Sequence, residues 1–105
     1  MPSLWEFPGG KRNNVETTRA AACRETMEEL GLNIPEDKLT PFEVVLHQYE
    51  TFSLSLHLFV CREWTGDPVP IVHSHIRWVP LHLLSSYPMP PADEPLVAKL
   101  MAAFL

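Results

Sequence analysis

The segment from Gly10 to Leu32 constrains this chain more than any other. Residues Thr17 to Leu30 read as a helix: Thr17 or Thr18 can cap its start, alanines fill its first half, and Gly31 supplies its stop. Within that helix Glu25, Glu28 and Glu29 stand at i, i+3 and i+4, so they share one face over a single turn. Three carboxylates this close repel one another, and a helix gains nothing from them unless a cation sits there. Hard oxygen donors are what Mg²⁺ or Mn²⁺ selects. An ordinary solvated acidic face is the competing explanation, and for a lone Glu-rich helix it is the commoner one. The surroundings tip the balance. Gly9 and Gly10 form a turn whose backbone can approach phosphate or metal closely, Glu16 follows at a set interval, and Arg24 stands among the carboxylates.

Written out, GKRNNVETTRAAACRETMEELGL resembles the Nudix signature Gx5Ex7REUxEExGU, in which U is a bulky aliphatic residue. Gly10, Glu16, Arg24, Glu25, Glu28, Glu29, Gly31 and Leu32 fall in place, and the one departure is Thr26 at an aliphatic position. Thr26 is still β-branched, so a packing penalty is expected there rather than lost chemistry. The entry segment WEFPGGK is similar to that of the MutT branch of Nudix hydrolases, and YPMPPADEPLVAKL is similar to that branch's base-binding loop and final helix. The resemblance implies an α/β fold, the Nudix α/β/α sandwich with a mixed sheet, and attack of water on a nucleoside triphosphate to give the monophosphate and pyrophosphate. It implies that Glu25, Glu28 and Glu29, with the backbone carbonyl at Gly9 or Gly10, hold Mg²⁺ (or Mn²⁺), and that Glu25 is the water-activating base. Arg24 is expected to pair with Glu16 or a neighbouring glutamate and fix their rotamers. Phe7 and Asp93 are the expected substrate-binding residues, Phe7 against the base and Asp93 hydrogen-bonded to it. Asp93 is also a natural N-cap for the last helix. An oxidised purine triphosphate such as 8-oxo-dGTP is the favoured substrate, which makes the expected role the sanitation of the nucleotide pool. A CTP-like pyrimidine triphosphate comes next, and a weak or inactive nucleotide-binding fragment is the alternative of a different class.

The rest of the chain reads as follows. Trp5-Glu6-Phe7 is a short strand ended by Pro8, and Phe42 to Tyr49 is another strand. Leu54, Leu56, Leu58 and Val60 alternate with Ser53, Ser55, His57 and Phe59, the period of two that marks a strand. Trp64-Thr65-Gly66-Asp67 is a turn, and Ile76 to Val79 is a third strand candidate. The last helix runs from about Glu94 to Phe104, with Pro95 in its first turn and Leu96, Leu100, Met101 and Phe104 on one apolar stripe. Trp5, Trp64 and Trp78 are expected in the core or at its rim, Cys23 as a small buried residue, and His47 and His57 as structural histidines.

With 105 residues the chain is expected to form one small domain. Its formal charge of −5 argues against duplex DNA or an anionic membrane surface as partner, but a small nucleotide screened by a divalent cation remains open. No apolar stretch approaches membrane-spanning length, no signal-peptide pattern opens the chain, and the two cysteines show no zinc spacing, so a reduced cytoplasmic protein is expected. Two departures from the family pattern stand out. Members place two strands before the WEFPGGK segment, whereas only Met1-Pro2-Ser3-Leu4 precede Trp5, so the domain is expected to be incomplete at its N-terminus. Bare strand edges are then expected to make it marginally stable, or to drive a homodimer or swapped assembly. Members also carry an acidic residue where this chain has Val72, with His73 and His75 nearby as possible assistants.

Overall fold

Thr17 starts the first helix in the way its side chain allows: its Oγ1 accepts the Ala20 N–H at 3.0 Å from an extended backbone. The helix, α1, runs Thr18–Leu30 and stops at Gly31, whose left-handed φ of 70° lets its N–H donate back to Met27 O at 2.9 Å. These positions come from a computed structural model, which describes residues 4–10, 12–13, 15–72 and 75–105. After α1 the order is a 3₁₀ turn at Glu36–Lys38, strand β1 (Leu39–Gln48), strand β2 (Ser53–Cys61), 3₁₀ turns at Leu81–Ser86 and Pro91–Asp93, and helix α2 (Glu94–Phe104).

Two compact units divide these elements. One comprises Phe7–Pro41 and Phe59–Arg77; the other comprises the described part of Met1–Glu6, Phe42–Leu58 and Trp78–Leu105.

The first unit is organised on α1. Ala21, Thr26 and Leu30 of the helix, together with Leu32 and Leu39, are its buried residues. Thr26, the polar residue at the aliphatic position, is 7% exposed, and its hydroxyl donates to Ala22 O at 2.6 Å, so no buried donor is left unmade. Carbonyls at the end of a helix lack intrahelical partners. Here the Val69 N–H donates to Leu30 O at 2.9 Å and the Ile71 N–H to Glu29 O at 3.1 Å. Asn33 and Thr65 exchange two backbone bonds of 2.9 Å as an isolated antiparallel bridge. Arg19 donates to Glu36 O and Leu39 O and lies over the Phe59 ring, 5.5 Å from its centroid.

The second unit holds α2, with Ala92, Leu96 and Val97 buried. Trp5 donates its N–H to Pro88 O at 2.8 Å and meets Tyr87 edge-on at 5.5 Å. Phe42 of β1 lies 5.5 Å from Phe104, and Lys99 Nζ pairs with Glu43 Oε2 at 3.2 Å. The sheet among the described residues is the β1–β2 hairpin. The Tyr49 N–H donates to Phe52 O at 2.8 Å beside the turn, and Tyr49 stacks on Phe52 at 4.9 Å.

The helix at Thr17–Leu30, the alternating strand at 53–61 and the last helix stand where the sequence put them, and β1 begins three residues before the expected Phe42. Two expected strands are absent. Trp5-Glu6-Phe7 forms no ladder: its Trp5 N–H is used by Pro88, and Pro8 has no N–H to extend a pairing. Ile76–Val79 likewise forms none, because β propensity becomes a strand only beside a partner, and Trp78 in this segment is 70% exposed rather than in a core. Trp64 is exposed as well, while Trp5 is half-buried.

Candidate active site

The Nudix-like face of α1 is built around one guanidinium. Arg24 Nη2 lies 2.6 Å from Glu16 Oε1, and Arg24 Nε donates to Glu16 Oε2 at 3.0 Å. Its Nη1 donates to Glu25 Oε1 at 2.7 Å and to Glu28 Oε2 at 3.2 Å. A planar fork with five donors on three nitrogens makes these four bonds at once, where an ammonium has three donors on a single nitrogen. Glu16 also accepts the Asn13 N–H at 3.0 Å. These bonds, Arg24 first and Asn13 second, lower the Glu16 carboxyl to about 2, and the same carboxylates raise the Arg24 guanidinium above its ordinary value.

Glu29 is held differently. Its Oε1 accepts the Gly9 N–H at 2.8 Å. Gly9 adopts φ 141°, a conformation that side-chain-bearing residues rarely take, which is the local reason for glycine at this position. Gly10 leaves room for a neighbour: a Cβ built there would lie 2.5 Å from Glu25 Cδ, so a larger residue would displace the Glu25 carboxyl from its place beside the turn. The turn thus lies against the carboxyl ends of Glu25 and Glu29.

The structure therefore brings Gly9, Gly10, Glu16, Arg24, Glu25, Glu28 and Glu29 together, all within one unit. Among the described residues no three acidic, histidine or cysteine side chains already converge as a ligand set, since Glu25 and Glu28 are turned onto Arg24 and Glu29 onto Gly9. The donor chemistry nonetheless suits a hard divalent cation: carboxylate oxygens on a half-exposed turn, beside a glycine backbone with no side chain in the way.

Phe7 is half-buried and belongs to the same unit as the carboxylates. Asp93 belongs to the other unit and is 8% exposed. It occupies the N-cap position of α2, but its side chain makes no capping bond, contrary to the sequence expectation. Two physical reasons account for this. The 3₁₀ turn Pro91–Asp93 runs straight into the helix, so Asp93 has helical backbone angles (φ −87°, ψ −20°) instead of the extended ones a cap uses; and Pro95, in the first turn, has no N–H to be capped. Burial, and then the charge of Glu6, raise the Asp93 carboxyl above its ordinary value. Val72 and His75 are exposed, and His73 and Lys11 lie outside the described residues. Cys23 is half-buried, and burial raises its thiol. His57 Nε2 lies 3.1 Å from Ser55 Oγ, and His47 packs edge-on against Tyr49 at 4.5 Å.

Sequence reasoning missed the Asn13 N–H on Glu16, the Val69 and Ile71 N–H groups that close α1, and Glu6 as the neighbour that perturbs Asp93. The first and third follow from folding alone. The second had a weak signal in Pro68 and Pro70, which favour an extended segment.

A glycine turn, one arginine and three glutamates on a single helical turn supply oxygen donors of the kind a hard divalent cation takes. The chain belongs to the NUDIX domain family, whose model matches residues 1–99, and is a Nudix hydrolase. It is 33% identical over 100 residues to the 8-oxo-dGTP diphosphatase of Escherichia coli (strain K12), covering 95% of this chain and 76% of that protein. It is 34% identical over 101 residues to the CTP pyrophosphohydrolase of the same organism, covering 94% of this chain and 72% of that protein. A solved MutT structure, from a study of the Aliivibrio salmonicida and Vibrio cholerae proteins, superposes with a TM-score of 0.81 at 29% identity, over 96% of this chain and 77% of that one. Nudix hydrolases as a family need a divalent metal.

Proposed function

We propose that the protein hydrolyses a nucleoside triphosphate to the monophosphate and pyrophosphate with Mg²⁺ (Mn²⁺ as substitute), acting on oxidised purine nucleotides of the 8-oxo-dGTP kind. The observation that carries this reading is the single α1 turn on which Glu25 and Glu29 face a glycine backbone while Arg24 fixes Glu25 and Glu28. Glu25, Glu28, Glu29 and the backbone carbonyl at Gly9 or Gly10 would hold the cation, which supplies positive charge against the phosphate oxygens. Glu25, reached by Arg24 from one side and closed in by Gly10, takes the proton of the attacking water. Arg24 and Glu16 position these carboxylates without touching substrate. Gly9 keeps Glu29 in place through its N–H.

Base recognition is assigned to Phe7 and Asp93. The names of the relatives support both a purine and a pyrimidine reading, and the chemistry of Asp93 bears on the choice. An ionised carboxylate only accepts hydrogen bonds, whereas a protonated one also donates. In its protonated form the carboxyl presents one donor and one acceptor, which complement N7–H and O6 of 8-oxoguanine, and equally N3 and the amino group of cytosine; burial shifts Asp93 in the direction of that form. The pyrimidine triphosphate therefore stands as the second reading.

We take the whole chain as one such domain. Its partner is a nucleoside triphosphate, with no nucleic acid or membrane involved, and self-association is by a homodimer or swapped assembly through bare strand edges. No described helix is long and apolar enough to cross a membrane, and we place the protein in the cytoplasm. Phosphorus NMR of the products decides the reaction: monophosphate plus pyrophosphate is expected from 8-oxo-dGTP, and a diphosphate plus orthophosphate would refute it.

A further inference from the structure

The outer edge of β1 carries the strongest pattern that the hydrolase reading leaves unused. Because the Tyr49 N–H donates to Phe52 O, strand alternation turns the main chain of Val45 and the other odd residues of β1 toward β2, and that of Phe42, Val44, Leu46 and Gln48 outward. Burial agrees with this register. Val45 and Leu56, placed opposite each other, are both half-buried, whereas Leu46 and Ser55 are both exposed. So does the Val44 N–H, which is not needed by β2 and donates to its own neighbour's carboxylate, Glu43 Oε1, at 3.0 Å. Among the described residues no other strand pairs along this edge. The middle of its exposed face is apolar, with Val44 49% and Leu46 80% exposed between Thr40 and Gln48, while the exposed residues of β2 are Ser53, Ser55 and His57.

We propose that β1 pairs with β1 of a second copy of this chain, antiparallel and centred on Val45. Outward-facing main chain exists only at even positions, so an antiparallel self-pairing must join even residues to even residues. Centring on Val45 satisfies this: Val44 exchanges backbone bonds with the second copy's Leu46, and Phe42 with its Gln48. Of the two neighbouring permitted centres, that on Val44 would set the Glu43 carboxylate opposite Val45, and that on Leu46 would leave Phe42 facing residue 50, beyond the end of the strand. The centre on Val45 instead sets Glu43 opposite His47, twice by symmetry: Glu43 Oε2 keeps Lys99, and Oε1, released when the Val44 N–H turns to the second copy, can accept an imidazole N–H, which histidine has in either protonation state. On the other face the two Val44 and two Leu46 side chains meet and leave water. Charge, hydrogen-bond polarity and apolar exposure thus select one occupant and one register. The inference rests on the self-association reading above and is independent of the hydrolase reading.

Sedimentation velocity on the full chain over a range of concentrations tests it, beside thermal melts that confirm folding. A reversible dimer is expected. Leu46→Lys places a charge on a side chain that is already mostly exposed, and is expected to raise the dimer dissociation constant at least about tenfold. His47→Glu, which sets glutamate opposite Glu43, is expected to do the same. Val45→Cys, in a chain whose Cys23 and Cys61 are replaced by Ser, is expected to form an intermolecular disulfide with oxidised glutathione, since facing residues of a non-hydrogen-bonded pair are close. A chain that stays monomeric at all concentrations would overturn both the edge and self-association. A dimer that ignores Leu46→Lys and His47→Glu, or a Val45→Cys chain that does not cross-link, would overturn the β1 edge while leaving self-association through another surface.

Discussion

Arg24 and Glu16 meet through two donors, Nη2 to Oε1 at 2.6 Å and Nε to Oε2 at 3.0 Å, and so lock the guanidinium that also reaches Glu25 and Glu28. The pair joins the loop before α1 to the helix's own carboxylates.

Replacing Arg24 by Lys keeps the charge and loses the fork. An ammonium has three N–H donors on one nitrogen and cannot keep the two-donor grip on Glu16 while also reaching Glu25 and Glu28. Steady-state kinetics at saturating Mg²⁺ should show kcat reduced by about 10- to 100-fold, with KM for the triphosphate changed much less, because Arg24 positions carboxylates and does not bind substrate. An equal loss in a rise of KM alone would place Arg24 on the substrate.

Glu16 also links the pair to pH. Its folded pKa of about 2 lies below the ordinary 4.5, so its contribution to stability is present above about 4.5 and lost as pH falls toward 2. Thermal melts across that window should show a shallower acid decline in Glu16→Gln than in the wild-type chain, from a lower starting Tm. Parallel curves would mean that Glu16 is no better bonded folded than unfolded.

Glu28 is the most exposed of the carboxylates bonded to Arg24, so its change to Gln should leave packing alone. Turnover should fall on the order of a hundredfold or more, because an amide cannot supply the negative charge a hard cation needs. Undiminished turnover in a folded variant would remove Glu28 from the metal set.

Asp93→Asn separates base reading from stability. The variant loses no cap, because the aspartate makes none. The Asp93 carboxyl is raised, so the cost of its ionisation is absent below its ordinary range and grows as pH rises through the raised value. The Asn variant should therefore be as stable as the wild-type chain in acid and more stable at neutral pH. If Asp93 contacts the base, the ratio of kcat/KM between 8-oxo-dGTP and dGTP changes as well; an unmoved ratio would leave Asp93 without a role in selectivity.

The sequence by itself determined helix α1, strand β2 and the carboxylate turn. Helix α1 follows from Thr17, its alanines and Gly31; β2 from a strict alternation; and the carboxylate turn from spacings that the 3.6-residue period projects onto one face. The grouping of Gly10 with Glu25 and of Arg24 with Glu16 was also legible, because motif spacing encodes that contact. Tertiary structure decided what depends on partners distant in sequence. Trp5-Glu6-Phe7 and Ile76–Val79 have strand composition but gain no ladder, since a strand needs a neighbour's donors and acceptors as well as its own residues. Asp93 has the chemistry of a cap, yet a preceding 3₁₀ turn and Pro95 withhold the geometry, and burial beside Glu6 gives it a raised pKa instead. Thr26 departs from its family's aliphatic pattern and is still buried, because the Ala22 carbonyl four residues back accepts its hydroxyl. Backbone propensity is written residue by residue, whereas burial and hydrogen-bond satisfaction are settled only when distant segments have met.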